Sequence, residues 1–232
     1  MNIKAFIKKT DTCLKCGVLL FFVLFWCSSN TLMAQERDGS LWAGGEINYN
    51  FNKKWRFNTE IEARFSDTAT HFQSVYIEPS FRYKLTKTWR LDASYRYVYR
   101  SSLKHSQRVG VGISKGWKIN KHWQVQHRLR YQRDFISDPS KNDIEQSLRL
   151  NTNIDYERHP RLTPNIGGEV FYALDSKFQK IYRYRGWGSL GMKLSKQWDC
   201  RLRYIYQNDF RKDDKEKREI DHIVEAFFSL NL

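Results

Sequence analysis

From Leu41 onward the chain alternates apolar and polar residues with a period of two, over eleven runs separated by turn-forming segments. In the first, Leu41, Ala43, Gly45, Ile47, Tyr49 and Phe51 alternate with Glu46, Asn48 and Asn50. The second sets Trp55, Phe57, Ile61, Ala63 and Phe65 against Arg56, Asn58, Glu60, Glu62 and Arg64. The third sets Val75, Ile77, Phe81 and Tyr83 against Ser74, Glu78, Ser80 and Arg82. The fourth places Trp89, Leu91, Ala93, Tyr95, Tyr97 and Tyr99 opposite Arg90, Asp92, Ser94, Arg96 and Arg100. Val109, Val111 and Ile113 then face away from Arg108, Gly110 and Gly112, and Trp123, Val125, Leu129 and Tyr131 from Gln124, Arg128, Arg130 and Gln132. Parity switches across residues 138–142, so that Ile144, Leu148, Leu150 and Ile154 oppose Glu145, Ser147, Arg149 and Asp155. The eighth run carries Asn165 and Glu169 on its polar side, and the ninth opposes Tyr182, Tyr184, Leu190 and Met192 to Arg183, Arg185 and Ser189. The tenth opposes Trp198, Leu202, Tyr204 and Tyr206 to Asp199, Arg201, Arg203 and Gln207; the last opposes Val224, Ala226, Phe228 and Leu230 to Glu225, Ser229 and Asn231. Such alternation predicts strands with one apolar face, and the three-and-four spacing of a helix is missing.

Four connections share a short sequence ending in tryptophan: Asn52-Lys53-Lys54-Trp55, Thr86-Lys87-Thr88-Trp89, Asn120-Lys121-His122-Trp123 and Ser195-Lys196-Gln197-Trp198. The first three tryptophans are 34 residues apart, and Arg158-His159-Pro160-Arg161-Leu162 takes the corresponding place in the longer gap before the fourth. A tight turn between alternating runs predicts a hairpin, so the repeat is a hairpin plus the loop to the next one. Pro79 and Pro164 fall inside runs and bring no amide to a ladder, so bulges are expected there.

Alternation is shared by soluble sandwiches and membrane barrels, and the polar side separates them. It carries Arg, Glu and Asp in run after run, as in the wet interior of a membrane barrel, while aromatic residues end most apolar runs, as in interfacial girdles. Trp55, Trp89, Trp123 and Trp198 are the expected girdle. Runs of about 11 to 13 residues cover the ~9–11 tilted residues that cross a hydrocarbon core. An open sheet in lipid would leave its edge amides unsatisfied, so the strands must close. The sequence therefore predicts an all-β fold, a closed antiparallel transmembrane β-barrel of about ten to twelve strands. Eleven runs conflict with the even counts of bacterial barrels. Either one run is miscounted, giving ten or twelve, or the N-terminus threads through the lumen.

Residues 1–34 read as a secretory signal peptide and residues 35–232 as the barrel. Lys4, Lys8, Lys9 and Lys15 precede an apolar run from Gly17 to Cys27, which is short for a spanning helix and ends near a small residue, Ala34. Trp26 is too large to precede a lipidated Cys27. Cleavage removes Cys13, Cys16 and Cys27, leaving Cys200 alone, so the Cys13-x-x-Cys16 spacing is neither a redox pair nor a metal clip. The mature chain keeps 36 Lys and Arg against 24 Asp and Glu, a net charge of +12. It contains no linker or composition shift and reads as one domain. The expected location is the outer membrane of the cell, with the lipid bilayer as surroundings and the barrel-assembly machinery as a partner in biogenesis. Arginines alternating with tyrosines could suggest nucleic-acid binding; the export signal and the regular apolar face argue against it.

Trp42 after the signal, the N-K-x-W turns, Tyr95-Arg96-Tyr97 and Arg128-x-Arg130-Tyr131 resemble the outer-membrane barrels of the domain-of-unknown-function 2490 (DUF2490) family, over nearly all of the mature chain. The resemblance implies a Gram-negative outer-membrane protein and supplies no mechanism.

Histidine is the natural place to look for catalysis. Lipid-active barrels place a His and a Ser two residues apart on an outward strand, and none of the six histidines has that spacing. His105 and Ser106 are adjacent, would face opposite sides, and are assigned to a loop. His127 falls on the lipid-facing parity and reads as an interfacial imidazole. His122 and His159 lie in turns and make no metal set. No catalytic residue and no cofactor is expected. The candidate functional residues face the lumen: Arg56, Glu60, Glu62, Arg64, Arg90, Asp92, Arg96, Arg128, Arg130, Arg149, Arg183, Arg185, Arg201 and Arg203. They support two readings, a cross-strand lattice of ion pairs that fills the lumen or a basic-lined path that favours anions. Fourteen inward arginines with Lys84, Lys118 and Lys193 stand against eleven carboxylates, a surplus of six. Arg96 and Arg128 are expected to set the ion preference. Leu103-Lys104-His105 and Arg211–Glu219 are placed in outer loops, where ligands could bind. The function expected is structural or a narrow anion-preferring pore rather than an enzyme. The alternatives are a lipid-modifying barrel enzyme and a surface ligand-binding barrel, and the small-molecule ligand is left open.

Overall fold

The computed structural model describes residues 37–67, 69–101, 105–137, 144–175, 180–210 and 219–232. The segment read as a signal peptide, Leu103 and Lys104, the whole 138–142 connection and residues 211–218 lie outside these residues. Eleven strands account for the eleven alternating runs: β1 (Arg37–Asn50), β2 (Trp55–Ser66), β3 (His71–Lys84), β4 (Trp89–Arg100), β5 (His105–Lys118), β6 (Trp123–Ile136), β7 (Gln146–Tyr156), β8 (Leu162–Ala173), β9 (Ile181–Lys193), β10 (Trp198–Asp209) and β11 (Glu219–Asn231). They close into a barrel in chain order.

No run was miscounted; closure takes a different form. Ten neighbouring pairs are antiparallel, and β1 pairs with β11 in parallel, from Arg37 opposite Ile220 to Asn48 opposite Asn231. With an odd number of up-and-down strands the first and last run in the same direction, so only a parallel pair can remove both edges. The closed antiparallel barrel expected from the sequence is found, with this one parallel pair as its seam. Side-chain parity matches across it: Leu41, Ala43 and Ile47 stand beside Val224, Ala226 and Leu230 on the outside, and Ser229 donates to Glu46 on the inside at 2.9 Å.

The Trp-ending connections are one device built four times. Asn52 Oδ1 accepts the amides of Lys54 and Trp55 at 2.8 and 2.9 Å, and Asn120 Oδ1 those of His122 and Trp123 at 2.8 and 3.0 Å. Thr86 and Ser195 do the same through their hydroxyls. At the fifth turn His159 Nδ1 accepts the Arg161 amide at 3.2 Å. A short side-chain acceptor that satisfies two turn amides explains why Asn, Thr and Ser interchange at this position.

The two register shifts lie between Arg64 and Phe65 and between Phe171 and Tyr172. Pro79 and Pro164 remain in register, opposite Thr59 and Leu190, so the bulges expected at the prolines are not there. The second bulge has a consequence for the interior. It turns Tyr182 inward beside Arg183 and buries it, where strict alternation had put it outside. His105 and Ser106, read as loop residues, open β5, and Glu219 opens β11.

Outward positions such as Ile61, Val111, Leu150 and Ile166 are more than half exposed. A continuous apolar wall of this kind is stable only against an apolar medium. Rings crowd both ends of it. Trp55 meets Tyr83 and Trp123 meets Tyr156 at 4.7 Å on the turn side, and Tyr184 meets Phe210 at 5.5 Å on the other.

Candidate functional site

The inside of the barrel is polar, and most of its charge is paired. Glu78, 7 % exposed, accepts Arg130 Nη2 at 2.6 Å through one oxygen and Arg96 through the other. Glu169 takes both donors of Arg149, the shorter contacts at 2.8 Å, and stands 3.9 Å from Arg185. Glu225 holds Arg201 at 3.1 Å and Arg203 at 3.3 Å. Arg64 pairs with Glu62 at 2.8 Å, Arg108 with Asp134 at 2.6 Å, Arg128 with Asp92, and Arg183 with Asp209. Glu60 accepts the Tyr76 hydroxyl. Most partners come from a neighbouring or next-neighbouring strand, because inward residues on adjacent strands stand side by side; Arg64 and Glu62 share β2, and Arg130 of β6 reaches Glu78 of β3 across two strands.

Two glycines make room for this lattice. A Cβ at Gly112 would lie 2.8 Å from Asp92 Oδ1, and one at Gly110 would lie 2.7 Å from Arg130 Nε. Bare backbone on β5 thus lets the side chains of β4 and β6 lie across it.

Six inward aromatics form a second layer: Trp42, Tyr76, Phe171, Tyr182, Trp187 and Phe227. Guanidinium groups rest on them, Arg96 at 3.6 Å from the Tyr76 ring centre, Arg64 at 4.0 Å from Trp42 and Arg149 at 4.6 Å from Phe171. Trp42, Ile205, Ile223 and Trp187 form one apolar cluster, and Ile144, Phe171, Ala173 and Tyr182 another, both displaced toward the end away from the short turns. Toward the turns the walls are lined by amides: Asn58 donates to Glu46 and Asn48, and Asn165 accepts from Trp187 and Ser189. A cavity of about 350 Å³ lies among these groups.

Three arginines depart from the pattern. Arg56, Arg82 and Arg90 sit at the turn ends of β2, β3 and β4 and have no carboxylate within ion-pair distance among the described residues. Arg82 stands opposite Arg56 in one register and opposite Asp92 in the other, and Asp92 is already held by Arg128. Arg90 is opposite Lys84. Like charges set side by side are unfavourable until an anion joins them.

A family model matches residues 39–218, most of the chain. The chain belongs to the DUF2490 family, proteins of unknown function. Among solved structures it is similar to the NanC porin, with a TM-score of 0.57 and 14 % identity over 84 % of this chain and 98 % of that one. It is also similar to the KdgM porin in complex with disordered oligogalacturonate, with a TM-score of 0.46 and 17 % identity over 70 % of this chain and 81 % of that one. The NanC likeness shows a shared fold, that of a porin barrel. No curated protein matches the sequence.

Within this DUF2490 barrel the fourteen lumen-facing candidates fall into separate groups. Arg56 and Arg90 are at the turn-side rim and Asp92 beside it; the other eleven line the central cavity. Arg96 and Arg128, the expected determinants of ion preference, are bound to Glu78 and Asp92, so their charge is largely cancelled locally. Sequence reading passed over Asp209 and Asp221, which also face inward and reduce the surplus from six to four. It also passed over the aromatic layer. Five of its six rings occupy the polar parity of their strands and were visible in the alternation; Tyr182 required the bulge. On the outer wall, His127 Nδ1 lies 2.8 Å from Thr152 Oγ1 of β7, a contact between strands that spacing along the chain could not reveal.

Proposed function

We propose that this protein is an outer-membrane barrel that passes small anionic solutes, with the turn-side rim of Arg56, Arg82 and Arg90 as its selective element. The carrying observation is their lack of carboxylate partners in a lumen where nearly every other arginine has one. Paired guanidinium groups give the wall shape and polarity, whereas unpaired ones in a narrow, low-dielectric opening raise the local concentration of anions. The apolar wall, the closed ladder and the export signal support the membrane location. The small cavity and the two apolar clusters support a narrow passage with low conductance.

Planar-bilayer recordings of refolded protein in a potassium chloride gradient test the reading. Small channels with a reversal potential on the chloride side are expected. The double substitution Arg82→Gln and Arg90→Gln should move that potential toward zero without impairing folding, because neither side chain closes an ion pair. Cation preference in the unaltered protein would overturn the charge argument. Silent bilayers containing folded protein would leave a structural barrel. The barrel is read as non-catalytic, since among the described residues His127 has a hydroxyl neighbour but no carboxylate to orient it. Release of acyl chains from phospholipid or lipopolysaccharide, abolished by His127→Ala, would overturn that part.

A further inference from the structure

The outer wall carries very little charge, and all of it has one sign. Among the strand residues from 39 to 218 and from 220 to 231 whose side chains are described, two outward-facing ones are always charged, Lys115 on β5 and Arg133 on β6, and none is a carboxylate. Arg133 lies toward the long connections and rests over its neighbour Phe135 at 5.1 Å. Lys115 lies toward the short turns in a more elaborate setting. The registers of β4 to β7 place Trp89, Lys115, His127 and Thr152 in one row across four strands. The Lys115 ammonium is 5.1 Å from the Trp89 ring centre and 5.7 Å from that of Trp117. Trp117 in turn stands 5.1 Å from the His127 ring. Thr152 engages His127 Nδ1, and no other hydrogen bond of that imidazole is found among the described residues. If the hydroxyl donates to Nδ1, Nε2 carries the proton and is left as a donor.

We infer that this row binds the phosphate of an anionic phospholipid in the leaflet on the turn side of the barrel; the inference rests on the reading that the barrel spans a membrane. A lysine on a lipid-facing wall is tolerable only where its head reaches the interface or meets an anion. The described residues of that wall supply no anion, so the counter-charge comes from the bilayer, and the phosphodiester is the anionic group at that depth. Lys115 contributes the charge and His127 Nε2–H a directed donor. Trp89 and Trp117 flank the Lys115 ammonium, and Thr152 holds the imidazole through Nδ1. The flanking tryptophans distinguish this position from Arg133, whose ring contact among the described residues is Phe135.

The test is native mass spectrometry of the refolded barrel released from detergent containing phosphatidylglycerol, with phosphatidylcholine in parallel. Refolding into vesicles, read by heat-modifiability on a gel, reports separately whether the chain is a membrane barrel. One retained phosphatidylglycerol per barrel is expected, in preference to phosphatidylcholine. Lys115→Gln should lower its occupancy about fivefold, the scale of one basic residue at an anionic surface. Thr152→Val should lower it less, and Arg133→Gln should leave it unchanged. Equal retention by Lys115→Gln and the unaltered protein would overturn the site. So would an equal loss in Arg133→Gln, which would show diffuse attraction to the wall. Failure of every variant and of the parent to insert into vesicles would instead overturn the membrane reading beneath it.

Discussion

The lattice inside the barrel makes a strong demand on one residue, Glu78. It is the only carboxylate within ion-pair distance of either Arg96 or Arg130 among the described residues, and all three side chains are nearly buried. Glu78→Gln keeps the shape and removes the charge. One amide oxygen could still accept from one guanidinium, while the amide NH2 would face the other, donor against donor. Removing one partner of a buried pair costs about 3–5 kcal/mol, because the remaining charge stays desolvated. Arg96 keeps its place over the Tyr76 ring, and water entering from the cavity would solvate part of the released charge; both pull the expected value toward the lower end. The internal control is the Lys118–Glu157 pair at the turn-side rim, formed at 3.1 Å with side chains 61 % and 39 % exposed. Glu157→Gln should cost no more than about 1 kcal/mol, as for other surface pairs. Both numbers come from reversible urea unfolding of the barrel in vesicles, followed by far-ultraviolet circular dichroism, at low and high salt. A further substitution, Arg130→Met in the Glu78→Gln background, should recover part of the loss by removing the stranded charge. If Glu78→Gln and Glu157→Gln were equally mild, the interior would be as wet as the rim, and the lattice would not be a source of stability.

Two other outcomes follow from wall parity and turn chemistry. Leu150→Arg places a charge on the outer wall near mid-strand and should cost about 2–4 kcal/mol, whereas Asn151→Arg points into the cavity opposite Glu169 and should be far milder; refolding yield into vesicles compares them, and equal damage would refute the parity. Asn120→Ala removes the acceptor for two turn amides and should cost about 1 kcal/mol in the same urea titration, while Asn120→Thr should be neutral, since Thr86 already does this work in a sister turn. A neutral alanine would show that the hairpins are set by the strands alone.

Much of this protein is written in its alternation. A period of two is a local property, because successive side chains on an extended chain must point to opposite sides; it therefore located all eleven strands, the side on which Arg128 or Glu169 would be found, and the parity switch before β7. The turns were legible for a similar reason, since Asn52 or Ser195 reaches amides only two and three residues away. Closure is different. Whether eleven runs meant a miscount or a parallel seam depended on β1 finding β11 at the far end of the chain. The bulge that swings Tyr182 inward depends on how β8 and β9 are paired, and the two prolines, which looked like the place for it, keep the register, although Glu78 and Pro79 go unpaired on the β4 side. Pairing within the lumen was equally hidden. Charge counting gave a surplus, but not that Asp92 would go to Arg128 and leave Arg82 unmatched, nor that Lys115 and His127 would share a row with two tryptophans on the outer wall. The identity of an inward or outward residue is fixed by its own backbone; the identity of its partner is fixed by register between strands, which only the closed barrel determines.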